Sequence, residues 1–172
     1  MDIDRTDPAT IGWFARVGRP WSPAEAGAVD ALIQSWPALA GSALSVVGGA
    51  EAAAALLRTA VFDDAWWDEE EGLREELWLA ASHAIGEAGL ERRLAAEGAR
   101  WRVVARDAAR RAFGAETELA ADAVVALSLA AHQRTLAALA GAGDDHVFVR
   151  KLALFAAGRW PLGCHRGRFH VF

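Results

Sequence analysis

The segment that most constrains this chain is residues 117–140, TELAADAVVALSLAAHQRTLAALA. Read at helical spacing, Leu119, Ala120, Ala123, Val124, Ala126, Leu127, Ala130, Ala131, Ala137 and Ala138 cover much more of the circumference than a narrow stripe. A helix apolar on most sides must be enclosed by other elements, so the remaining chain has to supply helices that surround it. The composition allows this, since 41 of the 172 residues are Ala, whose small side chain favours the helix and permits close approach.

Flanking segments carry the signals of those surrounding helices. Ser22-Pro23-Ala24-Glu25 combines an N-cap, a first-turn Pro and the acid of a capping box, and Pro37 stops the helix near Trp36. After Gly48 and Gly49 an Ala-rich helix covers residues 50–61. Leu73, Leu77, Ala80, Ala81 and Ala84 share a face of a helix predicted from about residue 69 to 85. Gly86 and Gly89 punctuate the chain before a helix-rich stretch at 90–113, where a break near Gly98 is expected. A last helix is capped by Asp144 or Asp145 and runs to about Ala157, with Gly158 just beyond it.

The two ends are different. Residues 1–21 set Ile11, Trp13, Phe14, Val17 and Trp21 among Gly and Pro, the pattern of an irregular but packed arm. At residues 161–172 the period shortens to two. With Arg166-Gly167 as the turn, Cys164 faces Phe169 and Leu162 faces Val171 on one side, while His165, Arg168 and His170 lie on the other. Two strands are marginal alone, so this hairpin must dock on helices. The expected fold is thus a mainly α, single-domain bundle of about six helices spanning 1–172, with a short C-terminal β-hairpin.

Charge and cysteine usage remove several function classes. A net charge of −5 argues against a phosphate-backbone partner, which calls for clustered cations. One cysteine, Cys164, cannot form an internal disulfide or a multi-thiolate zinc site. No basic and apolar leader opens the sequence, and residues 37–50 are too short and Gly-interrupted to span a bilayer, so we expect a cytosolic chain without a membrane segment.

Four features carry chemical meaning. Glu71 and Glu75 on one helix and Glu118 and Asp122 on another form two i, i+4 carboxylate pairs that would hold Mg²⁺ if they converged. The arrangement is similar in kind to that of helical nucleoside-triphosphate pyrophosphatases, departing by one residue in each half from their Glu-Glu-x-x-Glu and Glu-x-x-Asp spacings. His83 and His132 have no acid three residues before them, so they do not complete a di-iron pattern, and His83 reads as a surface partner of Glu87. The helix face carrying Arg100, Arg102, Arg106, Arg110 and Arg111 is basic, and the acids of residues 63–76 can neutralise it within the molecule or across a homodimer. Lys151, the only Lys, falls within an apolar helix.

Eight Trp and no Tyr make Trp the natural core anchor of an Ala-rich bundle. Adjacent Trp66 and Trp67 cannot both enter one core, so one is expected to be exposed beside Asp68, Glu69 and Glu70. The sequence therefore leads us to expect a protein-binding or regulatory module, of the inhibitor or immunity type, that presents this acidic Trp surface to a basic protein and needs no cofactor. Two alternatives stand beside it: a Mg²⁺-dependent hydrolase of a phosphorylated small molecule, and a binder of an apolar small ligand in a Trp- and Leu-lined pocket. No catalytic residue is assigned.

Overall fold

The computed structural model describes residues 7–114 and 117–172. Residues 1–6 of the expected arm lie outside them. Among the described residues the chain forms α1 (Pro23–Gln34), β1 (Ala43–Val46), α2 (Ala50–Thr59), α3 (Asp64–Ile85), α4 (Glu87–Phe113), α5 (Glu118–Leu139), α6 (Val147–Ala156), β2 (Pro161–His165) and β3 (Arg168–Val171). This is the expected mainly α fold with six helices and a C-terminal hairpin.

Helix α5 is the enclosed element that its sequence demands, packed against α2, α3, α4 and α6. Leu127, Ala130, Ala131, Leu136 and Ala137 have no exposed surface. Its N-terminus is fixed by Thr117, whose hydroxyl accepts from the Ala120 N–H at 3.1 Å. At α1 the capping box forms as read: Glu25 N–H donates to Ser22 Oγ, and the Glu25 carboxylate accepts from Ser22 N–H at 2.8 Å.

Three helix boundaries move. Helix α3 starts at Asp64, because Asp63 is a true N-cap that accepts from the Ala65 N–H at 3.0 Å. Helix α4 runs unbroken through Gly89 and Gly98, since burial of Leu90, Leu94 and Trp101 along one side outweighs the roughly 1 kcal/mol helix penalty of each glycine. Helix α6 is capped by His146, whose Nδ1 accepts from Phe148 N–H, in place of either aspartate. Gly86 separates α3 from α4, which removes the i, i+4 geometry expected for His83 and Glu87.

The arm is held by one buried cation. Arg159 donates to the carbonyls of Arg16, Arg19 and Pro20 at 2.5, 2.8 and 3.0 Å, pairs with Glu25 at 3.2 Å and lies over the Trp21 ring at 4.5 Å. Phe14, in a left-handed backbone conformation, packs against Phe113, Phe155 and Trp160.

The hairpin turn has positive φ at Arg166 (52°) and Gly167 (69°), the signature of a type I′ turn. Cys164 faces Phe169 as read, but Val171 faces Pro161 rather than Leu162. An irregularity between Pro161 and Gly163 causes the slip. It sends Leu162 into the apolar cluster of Phe155 and Trp160, apart from that of Cys164, Phe169 and Val171. A third strand, unforeseen in the sequence, completes the sheet: β1 pairs parallel to β3, with Leu44 opposite Phe169, giving the order β1-β3-β2. Among the described residues no helix is long and apolar enough to cross a membrane.

Candidate functional site

Helices α3, α5 and α6 meet around a buried polar knot. Glu70, Gln133 and Lys151, one from each helix, are all below 6% exposed. The Lys151 ammonium pairs with the Glu70 carboxylate and donates to Gln133 Oε1 at 3.2 Å, while Gln133 Nε2 donates to the other Glu70 oxygen at 3.0 Å. Both Glu70 oxygens and Gln133 Oε1 thus have donors inside the knot, and two of the three ammonium N–H groups have acceptors, which offsets the cost of burying the charges. Trp66 and Trp36 flank the ammonium, with ring centroids 5.1 and 5.9 Å from Nζ. Burial pushes the Lys151 amine below its ordinary value, and the neighbouring Glu70 charge opposes that shift.

Above this knot opens a groove of about 340 Å³ between α3, α5, α6 and the start of β2. Trp66 and Trp67 form one wall, Val125, Ala126 and Leu129 the opposite one, and Phe155, Trp160 and Leu162 the end; Lys151 and Asp122 supply its charges. Phe62 is placed by the sheet. A Cβ on Gly163 would lie 2.7 Å from the Phe62 ring, so the bare glycine backbone is what lets that ring seat. The Asp122 carboxyl is pushed up by burial first and by the neighbouring Glu118 charge second.

The adjacent Trp pair divides as helical geometry requires. Trp66 is 1% exposed and makes edge contacts with Trp36 and Phe169, whereas Trp67 is 42% exposed and leans on Trp66 with centroids 4.8 Å apart. Asp68 is exposed beside it, as are Asp63, Asp64 and Glu71 one turn away. Two residues leave the expected acidic surface. Glu70 is the buried member of the knot, and Glu69 is half-buried with its carboxylate accepting from the Ala38 N–H at 2.5 Å. Both were expected to face solvent because they continue an acidic run; each instead points at a donor from another element.

The four carboxylates considered for Mg²⁺ do not meet. Glu71 and Glu75 line a separate surface cleft with Arg74, Trp78, Leu79 and His132, and Glu71 is paired with Arg74. His132 lies ten residues beyond Asp122 on α5, about 15 Å along the axis. Asp122 belongs to the Trp groove, and Glu118 lies 3.6 Å from Arg58. Among the described residues no group of three or more His, Cys, Asp and Glu is arranged to hold a metal ion. His132 is held below its ordinary value by burial and by Arg74.

No family model, curated protein or solved structure matches the chain.

Proposed function

We propose that the chain is a protein-binding module whose acidic α3 face, topped by Trp67, receives a basic partner. The observation that carries this reading is the half-exposed Trp67 indole, which stands on the buried Trp66 beside exposed Asp63, Asp64, Asp68 and Glu71. A large aromatic held against a rigid neighbour loses little entropy on binding and supplies short-range contact area, while the surrounding carboxylates attract cations from a distance. Exposed Val125 across the groove enlarges the apolar centre of the face. Covering a basic surface in this way is what an inhibitor or immunity protein does, and the free buried thiol of Cys164 suits a cytosolic setting.

The test is affinity capture from the organism that makes the protein, followed by binding kinetics with the captured partner. Trp67→Ala should speed dissociation and weaken binding by roughly 2 kcal/mol or more, about thirtyfold. Neutralising Asp63, Asp64 and Asp68 should mainly slow association and flatten its salt dependence. A partner that binds both variants as it binds the parent would remove the site.

A further inference from the structure

The cations of this chain are seventeen Arg and a single Lys. Where the fold needs a buried cation purely to tie backbone together it uses Arg: Arg159, 1% exposed, pairs with Glu25 and clamps three carbonyls. At the floor of the Trp groove, against the buried Glu70, it uses Lys. What Lys offers there and Arg does not is a primary amine that can release a proton and bond to carbon.

We propose that Lys151 is a reactive amine and that the groove beneath Trp67 admits a small apolar aldehyde or ketone, which the amine holds as an imine. Three observations fix the chemistry. The ammonium has three protons and two protein acceptors, Glu70 and Gln133 Oε1, so one N–H remains for a third oxygen. The groove that Lys151 lines is walled by Trp66, Trp67, Phe62, Phe155 and Leu129, and its volume of about 340 Å³ suits a molecule near the small end of ligand size. Glu70 already balances the ammonium, and Asp122 adds a carboxyl group elsewhere in the groove lining, which disfavours an anionic guest and leaves a neutral carbonyl compound as the fitting one.

The step balances within the site. Glu70 takes a proton from the ammonium, the freed lone pair on Nζ adds to the carbonyl carbon, and the C=O π pair becomes a hydroxyl by accepting that proton. Loss of the hydroxyl with one further amine proton releases water and leaves a protonated C=N bond. One ammonium and one carbonyl compound thus give one iminium and one water, and the positive charge beside Glu70 is kept. The buried carboxylate never loses its counter-ion, so the reaction avoids the cost of an unpaired charge. Desolvation among Trp and Phe side chains favours the free amine that attacks. This inference does not depend on the protein-binding reading, because it concerns the groove floor and needs no partner.

A single Lys makes the experiment clean. The full-length protein is incubated with hexanal and cyanoborohydride, and the adduct is located by intact mass and peptide mapping; the internal reference is the chain's own α-amino group. We expect one saturable adduct on Lys151, formed at least tenfold faster in the native protein than in urea, and suppressed by excess 1-hexanol, which fills the groove but carries no carbonyl. Glu70→Gln should slow the Lys151 adduct about tenfold and leave α-amino labelling unchanged. A native Lys151 that stays unmodified while the unfolded chain reacts would identify a sealed ion pair and overturn the proposal. Labelling that fails to saturate, or is no faster native than unfolded, would overturn it equally, whether or not the Glu70 variant folds.

Discussion

Replacing Lys151 with Met tests whether the polar knot exists to hold the fold together. Met keeps most of the side-chain volume and removes the ammonium. Glu70, 4% exposed, would then carry its charge with Gln133 as its only remaining partner, and Gln133 Oε1 would lose its donor. Breaking a buried pair from one side costs about 3–5 kcal/mol, and the lost amide hydrogen bond adds about 1, so a destabilisation of about 4–6 kcal/mol is expected. For a chain of this length that corresponds to a fall in Tm of roughly 10–20 °C. The double variant Glu70→Met, Lys151→Met removes both charges and fills the space with apolar atoms. It should recover to within about 2 kcal/mol of the parent and so be less damaged than the Lys151→Met variant, which is the signature of strong coupling between the two charges. Urea unfolding followed by Trp fluorescence measures all four corners of the cycle, with Trp36 and Trp66 as reporters beside the knot, and an unchanged m value shows that the states compared are the same. A single variant within 1 kcal/mol of the parent would mean that Glu70 is solvated or protonated once its partner is gone, and the knot would then not hold the fold together. A double variant as damaged as the single one would show that the pair is needed for folding, and the choice of Lys over Arg would then need no chemical explanation.

Three further outcomes follow from the same packing. Glu25 is held at about 2, below its ordinary 4.5, chiefly by the Ser22 backbone N–H, then by the Ser22 hydroxyl, with Arg159 adding to both. Its folded value is the lower one, so its contribution is complete above about pH 4.5 and is lost as pH falls toward 2; Glu25→Gln should flatten the Tm profile across that window. Gly163→Ala, at φ 138° and with its new Cβ only 2.7 Å from the Phe62 ring, should displace Phe62 and lower stability by roughly 1–3 kcal/mol in a thermal melt. Cys164, 1% exposed and 3.5 Å from Ser42 Oγ, should react slowly with a thiol reagent in the native protein and rapidly in urea; fast native reaction would refute the hairpin's docked register.

The parts of the fold that could be read in the sequence are those set by local chemistry. The apolar circumference of α5, the capping box at Ser22, the clash between neighbouring Trp66 and Trp67 and the Arg166-Gly167 turn each rest on residues within a few positions of one another, and each forms. What could not be read depends on distant partners. Strand β1 has no clean alternation of its own, with its two middle residues half-buried and its ends exposed, and it exists because β3, more than a hundred residues later, offers a parallel edge. The Leu162 slip adjoins Gly163, against which the Phe62 ring seats, again a contact across the chain.

The site falls between these two cases, because its signal was present and was masked by composition. In residues 63–76 the density of acids suggests a solvated surface that takes in Glu70 with its neighbours. Yet Trp66, Glu70, Leu73, Leu77 and Ala81 follow one another at steps of three and four, so Glu70 stands on the buried stripe of α3 and not beside it. Lys151 stands likewise on the apolar stripe of α6 with Phe148, Leu152 and Phe155. A lone ionisable group on an apolar stripe either gives up its charge or finds an opposite one inside the protein, because desolvation makes an unpaired buried ion costly. Two such stripes, one carrying a carboxylate and the other the chain's single Lys, are thereby matched to each other. The ion pair they form ties α3 to α6 where the groove lining includes both Trp66 and Lys151.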